Sequence, residues 1–183
     1  MASPPAANLT HMGIYVRDLP RMKEFYTGVL GLIVSDEGHV PRLGADIVFM
    51  SADPKTHHQV VLVSGRPESA TYTTVMQISF TVPSLAELRR VRDRAMAAGA
   101  TNFRPVSHGN AWSVYFNDPE GNVIEVYLDS PFHVPQPHGV PLDLDKSDEE
   151  ILAETEAHCR ADPGFMPRAE WEKQQARRLG VTV

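Results

Sequence analysis

The sequence predicts an α+β fold: two tandem βαβββ modules forming a cup-shaped mixed sheet, followed by a C-terminal helical extension. Three observations lead there. The same order of patterns, one strand, one helix and three strands, occurs twice between residues 9 and 131. Polar side chains recur at matching places on the otherwise apolar strands of both copies. After residue 131 the composition shifts to a proline-rich stretch and then to two charged, helix-like segments.

The opening MASPPAANLT, with two consecutive prolines, reads as a flexible lead-in over residues 1–8. Module one, residues 9–66, begins with a strand over 9–16, where Leu9, Met12, Ile14 and Val16 make a half-buried face. A helix from Arg21 to about Leu30 carries Met22, Phe25, Tyr26, Val29 and Leu30 at three- and four-residue spacing, with Gly31 placed as a C-cap. Strands over 32–36, 47–51 and 59–63 follow, separated by the turn-rich stretches 38–44 and 52–56.

Module two, residues 72–131, repeats the order. A strand over 74–82 leads into a helix over 84–98, stopped by Gly99; strands over 102–106, 112–116 and 123–128 follow, with Asp118-Pro119-Glu120-Gly121 as a tight turn. Laying Val16 on Val82 and Leu19 on Leu85 also lays His11 on Gln77 and Gln59 on Glu125. Two such modules side by side would point all four polar side chains into one cup.

In the extension, residues 132–183, Val134-Pro135-Gln136-Pro137 and Val140-Pro141 predict a stiff linker. Ser147-Asp148-Glu149-Glu150 is a capping box opening a helix to about Arg160, Pro163-Gly164 breaks it, and a last helix is expected over 168–179. Its apolar stripe at Ile151, Leu152 and Thr155, with the exposed sheet edges, suggests a homodimer.

Composition narrows the function. Of 183 residues, 42% are hydrophobic and 22% charged, and 17 basic against 23 acidic side chains leave a net charge of −6. That balance argues against an electrostatic hold on nucleic acid or anionic membranes. No apolar run is long enough to cross a bilayer. A single cysteine, Cys159, excludes an intrachain disulfide, and the start lacks the basic and apolar regions of a secretory signal, so a soluble, cytoplasmic protein is expected. The 8 histidines are the compositional oddity.

Leu9-Thr10-His11-Met12-Gly13-Ile14-Tyr15-Val16-Arg17-Asp18-Leu19, with Phe25-Tyr26-Thr27-Gly28-Val29-Leu30-Gly31-Leu32, resembles the opening of the vicinal oxygen chelate superfamily. That superfamily includes glyoxalase I, fosfomycin and bleomycin resistance proteins, methylmalonyl-CoA epimerase and the type I extradiol ring-cleaving dioxygenases. The resemblance implies paired βαβββ modules around one divalent metal. Among its members the small extradiol dioxygenases are the most similar. Their iron face of two histidines and a carboxylate leaves open positions for substrate and O2. It implies His11 and Glu125 as ligands, and Gln77 where the family carries the second histidine. A neutral amide is a poorer ligand to iron than imidazole, so Gln77 is a ligand, a neighbour of the ligands, or the mark of a site that no longer holds iron.

Thr56-His57-His58-Gln59-Val60-Val61-Leu62 resembles the strand that supplies the family's acid-base histidine, here His58. Ser107-His108-Gly109-Asn110-Ala111-Trp112-Ser113-Val114-Tyr115 resembles its late signature, which implies His108 and Tyr115 as substrate hydrogen-bonding groups. Strand alternation conflicts with one of these: if Gln59 faces the cup, His58 faces away unless a bulge intervenes. The repeat favours Gln59 and the resemblance His58; His58 is taken. His39, His57, His133, His138 and His158 carry no motif and are expected at the surface, with Trp112 and Phe116 in the core or pocket wall.

The expectation is an iron(II)-dependent dioxygenase that opens a catechol-like ring with O2. Two alternatives stand beside it. A glyoxalase- or epimerase-like lyase or isomerase would use manganese, nickel or zinc. A resistance-type protein would bind a small molecule without catalysis.

Overall fold

The computed structural model describes residues 7–181; the expected lead-in over 1–8 lies outside them except for its last two residues. Two compact units divide the chain, Met1–Thr74 and Val75–Val183.

In the first unit, β1 (Met12–Val16), α1 (Leu19–Leu30), β2 (Ile33–Val40), β3 (Ala45–Ser51) and β4 (Val60–Ser64) form a four-stranded sheet ordered β1-β4-β3-β2. The β1/β4 pair is parallel and the others antiparallel, which makes the sheet mixed. Helix α1 starts two residues before the sequence pattern does. Asp18 caps it by accepting from the Arg21 backbone N–H at 3.0 Å, and Pro20 sits in the first turn, where it costs no hydrogen bond. Its buried face is Met22, Phe25, Tyr26 and Val29. Strand β2 runs on to Val40, because Gly38 and His39 pair with Ile47 and Asp46 and the turn shrinks to residues 41–44. A bulge between Val34 and Asp36 shifts its register.

The second unit repeats the order with β5 (Ile78–Thr81), α2 (Leu85–Ala97), β6 (Thr101–Ser107), β7 (Ala111–Asn117) and β8 (Val123–Asp129). Ser84 caps α2, which packs Leu85, Leu88, Val91 and Ala95 against β7 and β8. The central strand β7 is buried from Ala111 to Phe116, as a strand flanked on both edges and covered by a helix must be. Trp112 and Phe116 lie in that core. The α+β class and the paired βαβββ order are those expected; each module builds its own mixed sheet.

The extension folds onto this second unit. It adds β9 (Phe132–His133), β10 (Val140–Pro141), α3 (Asp148–Arg160), β11 (Met166–Pro167) and α4 (Arg168–Leu179). Strand β10 joins the sheet beside β6, giving the order β10-β6-β7-β8-β5, and β9 pairs with β11. The capping box of α3 forms, with Ser147 and Glu150 each satisfying the other's backbone N–H. Two buried polar contacts fix the docking. Trp112 Nε1 donates to Thr155 Oγ1 at 2.7 Å, and Arg89 of α2 donates to the Leu144 and Lys146 carbonyls while pairing with Asp148 at 2.6 Å. Cys159 is fully buried against Phe132 and Val134.

Candidate functional site

In the second unit the chemistry gathers on Glu125. Strand pairing puts Ser79 of β5 and Tyr115 of β7 directly opposite it, and the two-residue period of β7 adds Ser113 on the same face. Glu125 is 7% exposed. Its Oε2 accepts from Gln77 Nε2 and Ser79 Oγ, each at 2.6 Å, and its Oε1 accepts from Ser113 Oγ at 2.9 Å and the Tyr115 hydroxyl at 2.5 Å. All four donors are neutral. The carboxylate is thus hydrogen-bonded but keeps its charge in a desolvated place, where a cation would be strongly held.

His108 extends the line. Its Nε2 lies 2.9 Å from the Tyr115 hydroxyl and its Nδ1 lies 2.8 Å from the His138 carbonyl, so the linker of the extension anchors the ring. Gly109 makes this possible. It takes φ +74°, and a Cβ there would run into Val134, so a left-handed glycine lets the His108 turn pack against the linker. Burial, followed by the hydrogen bond and charge of Glu125, pushes the Tyr115 phenol well above its ordinary range, although the Arg104 guanidinium over its ring pulls the other way. Tyr115 is therefore a donor at any ordinary pH.

The first unit holds a histidine cluster. The His11 and His58 ring centroids are 4.3 Å apart, and His11 Nδ1 is 3.0 Å from Thr10 Oγ1. Burial, then the neighbouring charges of His11 and His57, lowers the His58 pKa, which favours a neutral ring near neutral pH. Gln59 is turned elsewhere: its Oε1 accepts from the Ala52 backbone N–H at 2.9 Å and closes its own hairpin. The repeat argument for Gln59 breaks down at this strand. Val61 pairs with Gly13 as Glu125 pairs with Ser79, so Glu125 corresponds to Val61, and the modules drift by two residues before β4. His58 precedes β4, where strand alternation no longer governs it.

Two histidines expected to be plain surface groups have partners. His57 reaches Asp36 and His58, and His133 stacks on Trp171 at 5.1 Å. Ser79 and Ser113 were also missing from the sequence reading. Counting back two residues from Tyr115, and pairing Gln77's strand with that of Glu125, would have found both.

Among the described residues, no three His, Cys, Asp or Glu side chains are disposed to hold a metal ion. The donor set of the second unit is of another kind, a buried carboxylate with an amide beside it. Half a turn of the Gln77 amide replaces its NH2 with its oxygen, and a carboxylate plus an amide oxygen fits a small divalent cation that prefers oxygen ligands. Glu125 and Gln77 are thus the side chains of this unit that could hold a metal. Among the described residues no helix is long and apolar enough to cross a membrane.

Comparison with known proteins bears on this arrangement. The chain is 31% identical over 131 residues to biphenyl-2,3-diol 1,2-dioxygenase 3 of Rhodococcus globerulus, an alignment covering 67% of this chain but only 63% of that relative's length. A glyoxylase/bleomycin resistance protein/dioxygenase domain from Frankia sp. EAN1pec has the same fold, with a TM-score of 0.59 at 21% identity, over 69% of this chain and all of that one. So does the fosfomycin resistance protein FosX of Listeria monocytogenes, solved with Mn(II) and sulfate, with a TM-score of 0.54 at 17% identity over 69% of this chain and 95% of that one. A family model matches residues 8–126, well over half of the chain, which therefore belongs to the Glyoxalase/Bleomycin resistance protein/Dioxygenase superfamily.

Proposed function

We propose that this chain is a metal-dependent extradiol-type dioxygenase that opens a catechol-like ring with O2, with divalent iron as its metal. Glu125, Gln77 and His11 are its proposed ligands, and the assignment of His11 rests on the motif around it. The observation that carries the proposal is the line His108, Tyr115, Glu125, in which the dioxygenase-like late signature is hydrogen-bonded to the buried carboxylate. The chemistry supplied by a bound divalent metal is polarisation of the substrate oxygens and a path for electrons to O2.

The chain's own residues do the rest. His58, kept neutral near pH 7 by its surroundings, takes a proton from a substrate hydroxyl. Ser113 and Tyr115 hold Glu125 Oε1 in one orientation, so the carboxylate needs no reorganisation when a cation arrives. Tyr115, retaining its proton, can donate to whatever negative charge develops within its reach.

The test is anaerobic loading with iron(II), followed by a panel of simple catechols including biphenyl-2,3-diol, with oxygen uptake recorded. Uptake of about one O2 per ring opened is expected; no uptake across the panel, with no iron retained, would sink the proposal. A second reading, a metal-free binding protein, is favoured by one observation: all four acceptor positions of Glu125 are filled by neutral donors. Ligand binding unaffected by chelators would decide for it.

A further inference from the structure

The first unit contains a hydrogen-bonded chain that the proposed function leaves unused. Asp36 Oδ2 lies 2.7 Å from His57 Nε2, and His57 Nδ1 lies 2.9 Å from His58 Nδ1. The arrangement is built from several directions. The bulge in β2 sets Asp36, rather than Ser35, opposite Phe49 of β3. Phe49 in turn packs edge-on against both imidazoles, with centroids at 5.7 Å from His57 and 5.1 Å from His58.

Proton counting along this chain gives one answer. An ionised carboxylate only accepts, so the proton in the Asp36–His57 bond belongs to His57 Nε2. A neutral imidazole carries one N–H, so His57 Nδ1 is left with its lone pair. The His57–His58 bond then needs its proton from His58 Nδ1. We propose that Asp36 and His57 are positioning residues that hold His58 in its Nδ1–H tautomer, leaving Nε2 as the ring's proton acceptor. Free histidine prefers the opposite tautomer, with the proton on Nε2, so the chain reverses an intrinsic preference. The side chains of His57 and Asp36 are 55% and 71% exposed, so the contacts orient the ring and add little to stability.

The inference rests on His58 being the proton acceptor of the proposed reaction, but its test does not need turnover. Long-range 1H–15N correlation spectra of the full-length, 15N-histidine-labelled, metal-free protein report which ring nitrogen carries the proton. The pH is set to about 8, above the ordinary imidazole pKa. An H58Q variant assigns the His58 signals. Wild-type protein is expected to show the proton on His58 Nδ1. H57F removes the acceptor and should return His58 to the Nε2–H form. D36L should do so in part, because His57 loses its anchor, and D36E should restore the wild-type pattern.

Both positions are exposed, so a circular dichroism spectrum like that of wild type is expected for each variant. In the iron-loaded enzyme H57F should lose about tenfold in kcat with KM unchanged. Wild-type His58 protonated on Nε2, or an H57F variant whose His58 keeps its Nδ1 proton, would overturn the inference. If oxygen uptake fails while the tautomer pattern holds, the dioxygenase proposal falls and the positioning chain stands.

Discussion

Replacing Tyr115 with Phe removes one oxygen atom from the centre of the second unit. The hydroxyl donates to Glu125 Oε1 at 2.5 Å and meets His108 Nε2 at 2.9 Å, in a residue 8% exposed. Without it Oε1 keeps only Ser113, at 2.9 Å. A hydrogen bond to a charged group is worth about 1.5–3 kcal/mol, so Tyr115→Phe should cost about 2 kcal/mol. In a chain of this size each kcal/mol moves Tm by about 2–4 °C, which gives a fall of about 4–8 °C at neutral pH.

The alkaline side carries the opposite sign. The folded-state pKa of Tyr115 lies above its unfolded value of about 10. Above about pH 10 the folded state therefore holds a proton that the unfolded state has lost, and wild-type stability falls as pH rises from there toward the folded-state pKa. The variant has no such proton, so the difference between the two proteins should narrow above about pH 10. Tyr127, also shifted upward by burial, leaves both proteins a residual alkaline decline. Thermal melts across neutral and alkaline pH measure both effects. An unchanged or higher Tm for the variant at neutral pH, or a gap that widens with alkalinity, would refute the reasoning.

Thr155→Val strands the buried Trp112 Nε1–H that now donates to Thr155 at 2.7 Å. It should cost about 1–3 kcal/mol, visible as a lower denaturant midpoint and a change in tryptophan fluorescence; a cost below about 0.5 kcal/mol would mean that this bond does not hold α3 down. Cys159 is fully buried and its thiol pKa is raised by burial first and then by Asp162 and Glu156, so thiol reagents should label it only as fast as α3 opens; rapid labelling of native protein would contradict the docking described. Gln77→His supplies an imidazole where the structure has an amide and should tighten iron(II) binding by about tenfold, measured by competition with a chromogenic chelator. Unchanged affinity would remove Gln77 from the ligand set.

Much of the fold was legible because the signals were local. Asp18, Gly31 and the spacing of Met22, Phe25 and Tyr26 mark α1, and Ser147 with Glu150 marks α3, without any knowledge of tertiary contacts. The repeat was legible for the same reason. It failed where the modules differ in length between β1 and β4: an alignment fixed at Val16 and Val82 cannot sense a two-residue drift further along, so Gln59 took the place that belongs to Val61.

At the site, sequence singled out Glu125, Tyr115 and His108, which the fold brings together. It gave no sign of Asp36 and His57, because their meeting depends on a bulge in β2 and on a loop before β4, neither of which has a residue pattern of its own. The role of the His138 carbonyl was likewise invisible, since a backbone oxygen leaves no trace in side-chain identity.

The central claim is that the carboxylate of Glu125, now held by four neutral donors, holds a divalent metal. Its most direct measurement is the stoichiometry of iron(II) or manganese(II) bound anaerobically by wild-type protein and by Glu125→Gln, which keeps the shape and removes the charge. About one ion per chain in wild type, and a loss of at least about a hundredfold in affinity in the variant, is the result expected. No ion retained by wild type, or equal retention by both proteins, would contradict it.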